Sequence, residues 1–327
     1  MSNNSIKFQQ AIELALKDKK YGANPRELYD PISYIMSLGG KRMRPVLVMM
    51  ACDFFGGDQS KALQPALAIE LFHNFTLVHD DIMDKAPLRR NHPTIHSKWD
   101  EPTAILSADA MMVIAYQELC KADISILPAL LEIFSDCAVK VCEGQQMDMN
   151  FEKQEDVSIL HYLKMIELKT AVLLAGSLKI GAIVAGASKE DQQAIYNFGK
   201  HIGIAFQLQD DILDVFATDE KFGKQKGGDI ISNKKTYLLL KAVELAKGNR
   251  FMNEELQMWI HAPEFDAQQK VEAVTNIYNF LNVKQLATNE MQKQYEKALT
   301  FLASIHVAEN KKQELISFAD GLMVRQI

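Results

Sequence analysis

Apolar residues recur at helical spacing through long segments of this chain, and short clusters rich in Gly, Pro or Asp separate the segments. No sustained two-residue alternation of the kind a half-buried strand requires is present. The breaks fall at 22–31, 38–45, 55–60, 86–93, 99–102, 152–157, 186–189 and 218–236. None has the composition of a flexible interdomain linker, so the pattern predicts a single all-α domain over 1–327. The longest apolar stretch, 171–187, is interrupted by Lys179 and three glycines and falls short of a bilayer span. It predicts a buried core helix and no integral membrane segment.

Two places depart from this amphipathic pattern. Asp80-Asp81-Ile82-Met83-Asp84 and Asp210-Asp211-Ile212-Leu213-Asp214 share one design, each inside an apolar stretch. On a helix, residues four apart share a face, so Asp80 projects with Asp84 and Asp210 with Asp214, with Asp81 and Asp211 beside them. A single such cluster is ordinarily a solvated face. Two copies flanked by the uncharged Leu77-Val78-His79 and Gln207-Leu208-Gln209 are a different matter. Massed carboxylates need a cation, and oxygen-only ligands on adjacent turns suit magnesium, which keeps waters and bridges to substrate phosphates. Two such patches predict a cleft for a phosphorylated substrate.

Composition narrows the partners. With 327 residues, 48% of them hydrophobic, the chain can bury a substantial core. A net charge of -6 argues against a nucleic-acid footprint, so anion binding must come from local basic clusters. Cys52, Cys120, Cys137 and Cys142 lack metal-finger spacing, and residues 1–20 lack an apolar run of signal-peptide length. A reduced, cytoplasmic protein is the expectation.

Four polar sets supply the local clusters. Gly39-Gly40-Lys41-Arg42-Met43-Arg44-Pro45 places three cations after a double glycine, either a diphosphate grip or a basic cap on the surface. Arg89 and Arg90, with Pro93 and His96, follow the first acidic cluster. Gln145 and Asp148 lie three apart on one helical face, where an amide can orient a carboxylate or its water, and Lys169-Thr170 comes later. Phe206-Gln207 precedes the second acidic cluster. Taken singly, each is equally a satisfied polar group in a core. Residues 218–236 gather Lys221, Lys224, Lys226, Lys234 and Lys235 around Gly223, Gly227 and Gly228, which reads as a phosphate lid beside the second cluster. His73 and His79 lack the partners a zinc site needs; His73, two turns before Asp80, suits a phosphate contact, and His79 a structural role.

Taken in order, these motifs resemble the trans-isoprenyl diphosphate synthases of the polyprenyl synthetase family: GGKRMRP at 39–45, the run from Glu70 through Asp84, LRRxxPTxH at 88–96, GQxxD at 144–148, Lys169-Thr170, FQxxDDxxD at 206–214, and then GK and GGDIxxxKxT. The pattern is closest to the short-chain geranylgeranyl and farnesyl types. Asn91 departs from it, since glycine commonly follows the paired arginines there.

The resemblance implies an antiparallel helical bundle around a deep central cavity, commonly a homodimer. It implies head-to-tail condensation of isopentenyl diphosphate with an allylic diphosphate, assisted by three Mg2+ ions, with Mn2+ as a substitute. Asp80 and Asp84 would hold two ions and Asp210 a third, with Asp211 in the metal set and Asp81 and Asp214 acting partly through water. Arg89, Lys169, Thr170, Gln207, Lys224 and Lys234 would bind the allylic diphosphate. Gly40, Lys41, Arg44, His73 and Arg90 would bind isopentenyl diphosphate, and Gln145 and Asp148 would orient the metal shell. No nucleophilic Ser, Cys or His is required. The catalytic set is therefore Asp80, Asp84, Asp210, Lys169 and Lys224.

Product length should depend on side chains upstream of Asp80. At about 1.5 Å per residue, Phe75 lies roughly 7 Å and Phe72 roughly 12 Å before it, with the small Thr76 on the carboxylate face. An aromatic five positions before the first Asp resembles the archaeal geranylgeranyl type, which favours C20 over C15. Two alternatives compete. A terpene cyclase or head-to-head condensing enzyme usually replaces one DDxxD by another metal motif, and a non-catalytic synthase subunit would be expected to have lost site residues that are present here.

Overall fold

The computed structural model describes residues 3–217 and 227–323. In chain order the elements are α1 (Asn3–Asp18), α2 (Arg26–Ser37), α3 (Met43–Phe54), α4 (Gln59–Met83), the hairpin β1 (Leu88–Arg89) and β2 (His92–Pro93), α5 (Ile95–Lys98), α6 (Glu101–Leu119) and α7 (Leu127–Lys153). They continue as α8 (Ile159–Ile166), a π-helical turn (Glu167–Ala171), α9 (Val172–Val184), α10 (Lys189–Phe216), α11 (Gly228–Ile231), α12 (Tyr237–Ala246), α13 (Arg250–His261), α14 (Ala267–Phe280), α15 (Val283–Ala303) and α16 (Glu309–Met323). The expected all-α class holds. Among the described residues, no helix is long and apolar enough to cross a membrane.

Helix starts follow local chemistry. Asp58 caps α4 by accepting from the Ser60 amide, Asp100 caps α6 through Thr103, Ser158 caps α8 through His161, and Asp266 caps α14 through Gln269. Two predicted breaks shift. Pro31 lies inside α2 with its ring buried, because the apolar face of that helix outweighs the one backbone hydrogen bond a proline forfeits. The 86–93 break holds a two-residue antiparallel hairpin pairing Arg89 with His92. Its tip, Arg90 and Asn91, has φ of 53° and 62°, the double left-handed turn that matches strand twist. Asparagine tolerates this conformation nearly as glycine does, so Asn91 fits the turn.

The chain divides into two compact units. The first comprises residues up to Asp136 with Gly176–Tyr196 and Ile305–Phe318. Here α4 packs along α6 and α3, and Ile69, Leu71, Phe72, Val48 and Met111 are buried. The second comprises Cys137–Ala175, Asn197–Ser304 and the residues from Ala319 on. In it α12 packs on α8, α13 and α15, around a core that includes Tyr162, Ile204, Leu208, Leu238, Leu256 and Tyr278.

Two glycines let backbones close on the π-turn. A Cβ on Gly144 of α7 would run into the Lys169 amide and stand 2.7 Å from the Leu168 carbonyl carbon, and one on Gly203 of α10 would stand 2.5 Å from the Ala171 Cα. Backbone atoms cannot swing aside as a side-chain tip can. Gly144→Ala is therefore expected to lower stability by about 2–3 kcal/mol in chemical denaturation, near the upper range for overpacking; a change below about 0.5 kcal/mol would show that the crossing relaxes freely.

Candidate active site

The first acidic cluster closes α4. Asp81 is buried, 2% exposed, whereas Asp80 is half-buried and Asp84 is exposed at the helix cap. Arg89 reaches back from β1, placing Nε 2.9 and 2.8 Å from the two Asp81 oxygens and a terminal nitrogen 2.7 Å from Oδ1. The same guanidinium lies 3.6 Å from Asp80 Oδ2. Burial pushes the Asp81 carboxyl above its usual range, and the Arg89 fork opposes that shift. Asp81 thus orients Arg89.

The GGKRMRP loop separates its cations by burial. Gly39 and Gly40 have φ of 72° and 140°, and Arg42 is itself left-handed at 48°. The Arg42 side chain is 1% exposed, donating at 2.6 Å to Glu70 (side chain 2% exposed), at 3.0 Å to Glu13 and at 2.8 Å to the Met36 carbonyl. It is a structural bolt. Lys41 stays exposed, and the half-buried Arg44 lies 3.2 Å from His73 Nε2. Burial, with Arg44 second, holds the His73 imidazole well below its ordinary range, so the ring is neutral at pH 7. Arg90 donates to the Gly39 carbonyl, and a Cβ on Gly40 would crowd its guanidinium at 2.9 Å. Gly40 therefore leaves room for a cation. Lys41, Arg44, His73 and Arg90 belong to one unit.

Behind Asp80 the aromatic rings form a series. Phe75 stands 4.7 Å from the His79 ring and 5.5 Å from Phe72, Phe72 is 5.4 Å from Phe134, and Phe134 is 4.9 Å from Tyr116. Thr76 Oγ1 donates to the His73 carbonyl at 2.8 Å. The ring contact and the 3.8 Å approach of its Nε2 to Asp109 fit a structural His79.

The second cluster ends α10. Asp211 is buried, 4% exposed, and Asp210 and Asp214 are half-buried. Tyr162 of α8 donates its hydroxyl to Asp211 Oδ2, and Gln207 Nε2 donates to Oδ1 at 3.1 Å. Thr170 Oγ1 in turn donates to Gln207 Oε1 at 3.1 Å. Burial, with Asp229 second, pushes the Asp211 carboxyl up to about 7 against the Tyr162 and Gln207 hydrogen bonds. The Asp214 carboxylate accepts from the Asp229 amide at 3.0 Å. The π-turn carries Lys169, whose ammonium lies 2.6 Å from Asp148. A widened turn at this place is a common device for re-aiming side chains. Gln145 is half-buried one turn before Asp148 on α7, and Lys234 is exposed. Lys224 lies outside the described residues.

Sequence reasoning assigned no role to Tyr162, Glu70, Asn74 or Asp229, although Glu70 and Asn74 fall within the run 70–84 and Asp229 within GGDIxxxKxT. Tyr162 lies 49 residues from its partner Asp211, and Glu70 28 from Arg42, so no local pattern announces either contact. Asn74, which donates to Glu70 Oε1 at 3.0 Å, is at helical spacing from it and was the readable signal.

As a donor set, the outer aspartates are oxygen-only and more accessible than the middle ones. Among the described residues, no three His, Cys, Asp or Glu side chains form a ready metal cage. The oxygen-only donors themselves are of the type a hard cation takes.

The polyprenyl synthetase family model matches residues 25–278. The chain belongs to this family. Among its relatives, a geranylgeranyl diphosphate synthase of Methanosarcina mazei is 40% identical over 235 residues, 71% of this chain and 72% of that protein. A crystal structure of a geranylgeranyl pyrophosphate synthase superposes with a TM-score of 0.93 at 41% identity over all of both chains. A polyprenyl synthase from Caulobacter crescentus, solved with calcium and isoprenyl diphosphate, gives 0.87 at 25% identity over 99% of this chain and 98% of that one. The isoprenoid synthase fold of this family is thus the fold of the chain.

The family motif residue Glu70 acts here through Arg42. Glu70→Leu is expected to cost up to about 3–5 kcal/mol in denaturant titration, because it leaves the buried guanidinium only Glu13 and the Met36 carbonyl, whereas the Arg42→Met/Glu70→Leu double variant recovers much of that loss.

Proposed function

We propose that this prenyltransferase condenses isopentenyl diphosphate with an allylic diphosphate head to tail and releases chiefly a C20 all-trans prenyl diphosphate. One observation carries the site reading. In each acidic cluster the middle carboxylate is held by protein donors, Arg89 for Asp81 and Tyr162 with Gln207 for Asp211, while the outer carboxylates are more open. On the family pattern the outer carboxylates Asp80, Asp84 and Asp210 would hold three Mg2+ ions, with Asp214 in the same set. When bound, the metal stabilises charge developing on the diphosphate as its carbon–oxygen bond breaks.

The rest of the chemistry belongs to the chain. Lys41, Arg44 and Arg90, with Gly40, hold isopentenyl diphosphate, and neutral His73 is a further hydrogen-bonding partner beside Arg44. Arg89, oriented by Asp81, and Lys169, oriented by Asp148, grip the allylic diphosphate together with Thr170, Gln207, Lys224 and Lys234. Fixed cations aimed at a leaving group lower the barrier because they need no reorganisation as charge develops. The apolar surface near Phe75 excludes water, so the allylic cation survives until the isopentenyl double bond attacks it. The proton then lost passes to the departing diphosphate.

Cys52, Cys120, Cys137 and Cys142 are thiols outside any disulfide, which suits a reducing cytoplasm. The homodimer, carried over from the family pattern, and a single catalytic domain, read from the lack of a linker-like break, are part of the same reading.

Incubation with isopentenyl diphosphate, Mg2+ and each of the C5, C10 and C15 allylic diphosphates, followed by chain-length analysis, tests the function. Failure to form product from any primer would overturn it in favour of a non-catalytic subunit. Asp80→Ala and Asp210→Ala should each lower turnover about 100-fold or more, roughly 2.7 kcal/mol of barrier, with the fold retained by circular dichroism. Phe75→Ala should lengthen the product, with Phe72 the next ring met; an unchanged length profile would place the floor elsewhere.

A further inference from the structure

Lys270 of α14 is 1% exposed, and neither the sequence motifs nor the reaction gives it a role. Its Nζ donates to the Ile231 carbonyl at 3.3 Å and lies 4.0 Å from the centre of the Phe265 ring. One carbonyl and one ring face are a thin replacement for the hydration of an ammonium, and a methionine of similar reach would avoid the loss. The contact is therefore a weak source of stability. What it does is hold one particular stretch of backbone.

That stretch, residues 227–236, is tied at three other points. The Gly227 amide donates to the Asp214 carbonyl at 2.8 Å and the Asp229 amide to the Asp214 carboxylate at 3.0 Å. Gly227, at φ 75°, leaves no room for a Cβ beside Val271, the residue after Lys270. Asn233 Nδ2 donates to the Ile260 carbonyl at 2.9 Å, and the Lys234 amide to the Asp229 carbonyl at 2.9 Å. Lys270 meets the last residue of α11, three positions before Lys234. A cation at a helix's terminal carbonyls is favourably placed, and here it fixes where the following turn starts.

We propose that Lys270 is a positioning residue for the allylic diphosphate: through the Ile231 carbonyl it fixes residues 227–236, and with them Lys234. The proposal rests on the diphosphate role assigned to Lys234 above.

The test compares Lys270→Met and Lys270→Arg with the parent chain. Lys270→Met should raise the allylic KM about tenfold, the scale of a lost charged hydrogen bond, while leaving the isopentenyl KM and the melting temperature nearly unchanged, and Lys270→Arg should restore most of the affinity. Calorimetric binding of an unreactive allylic thiodiphosphate with Mg2+ should show the same loss without turnover. Should Lys270→Met fail to fold, Asn233→Gly, which removes another side-chain tie on the segment and tolerates its left-handed φ of 53°, should produce the selective allylic loss. A melting temperature that falls while both KM values stay put, or no change in any parameter, would overturn the proposal. A parent chain that binds the thiodiphosphate but makes no product would instead reject the catalytic reading and leave the Lys270 comparison standing.

Discussion

Two buried carboxylates set the terms for their surroundings. Asp81 and Asp211 occupy the same place in two copies of one motif, and each must be compensated where it is buried. The compensation differs. Arg89 brings a full positive charge to Asp81 through a fork, whereas Asp211 receives a phenol and an amide, both neutral, with Asp229 nearby. Similar sequence therefore produces two electrostatic environments: one ion pair, and one carboxyl that burial holds far above its ordinary range. The partners in turn fix other groups, since Asp81 aims Arg89 and Asp211 anchors the Gln207 amide that receives Thr170.

The π-turn is the second constraint. Lys169 and Thr170 point where they do because the helix widens by one residue per turn at 167–171, and Gly144 and Gly203 allow other backbones to approach that turn closely. The glycine of the GQxxD motif thus has a purpose apart from its neighbours Gln145 and Asp148. It admits the backbone that carries Lys169, the partner of Asp148.

The helical class and the two acidic clusters were legible because each follows from local spacing. Burial was not. Lys41, Arg42 and Arg44 look alike as a basic run, yet Arg42 is enclosed by Glu70, Glu13 and Met36 while Lys41 remains exposed. That division is made by residues up to 29 positions away. Asn91 shows the opposite case: a departure from the family's glycine is absorbed by the left-handed tolerance of asparagine. The π-turn had no signature, because its apolar and polar positions read as ordinary helix.

Residues 227–236 show how a chain can hold an exposed lysine in place without burying it. In the role proposed for it, Lys234 must stay exposed to meet a diphosphate, so packing of its own side chain cannot place it. The backbone does so instead, tied to Asp214 on one side and to Ile260 through Asn233 on another. Such ties leave the segment little freedom to slide, and entropy that would be lost on binding is lost on folding. Lys270 completes that arrangement from beneath, at the carbonyl just before the turn. A buried ammonium is a poor way to add stability and a good way to fix one carbonyl, because its cost of burial falls sharply only when that oxygen is in reach.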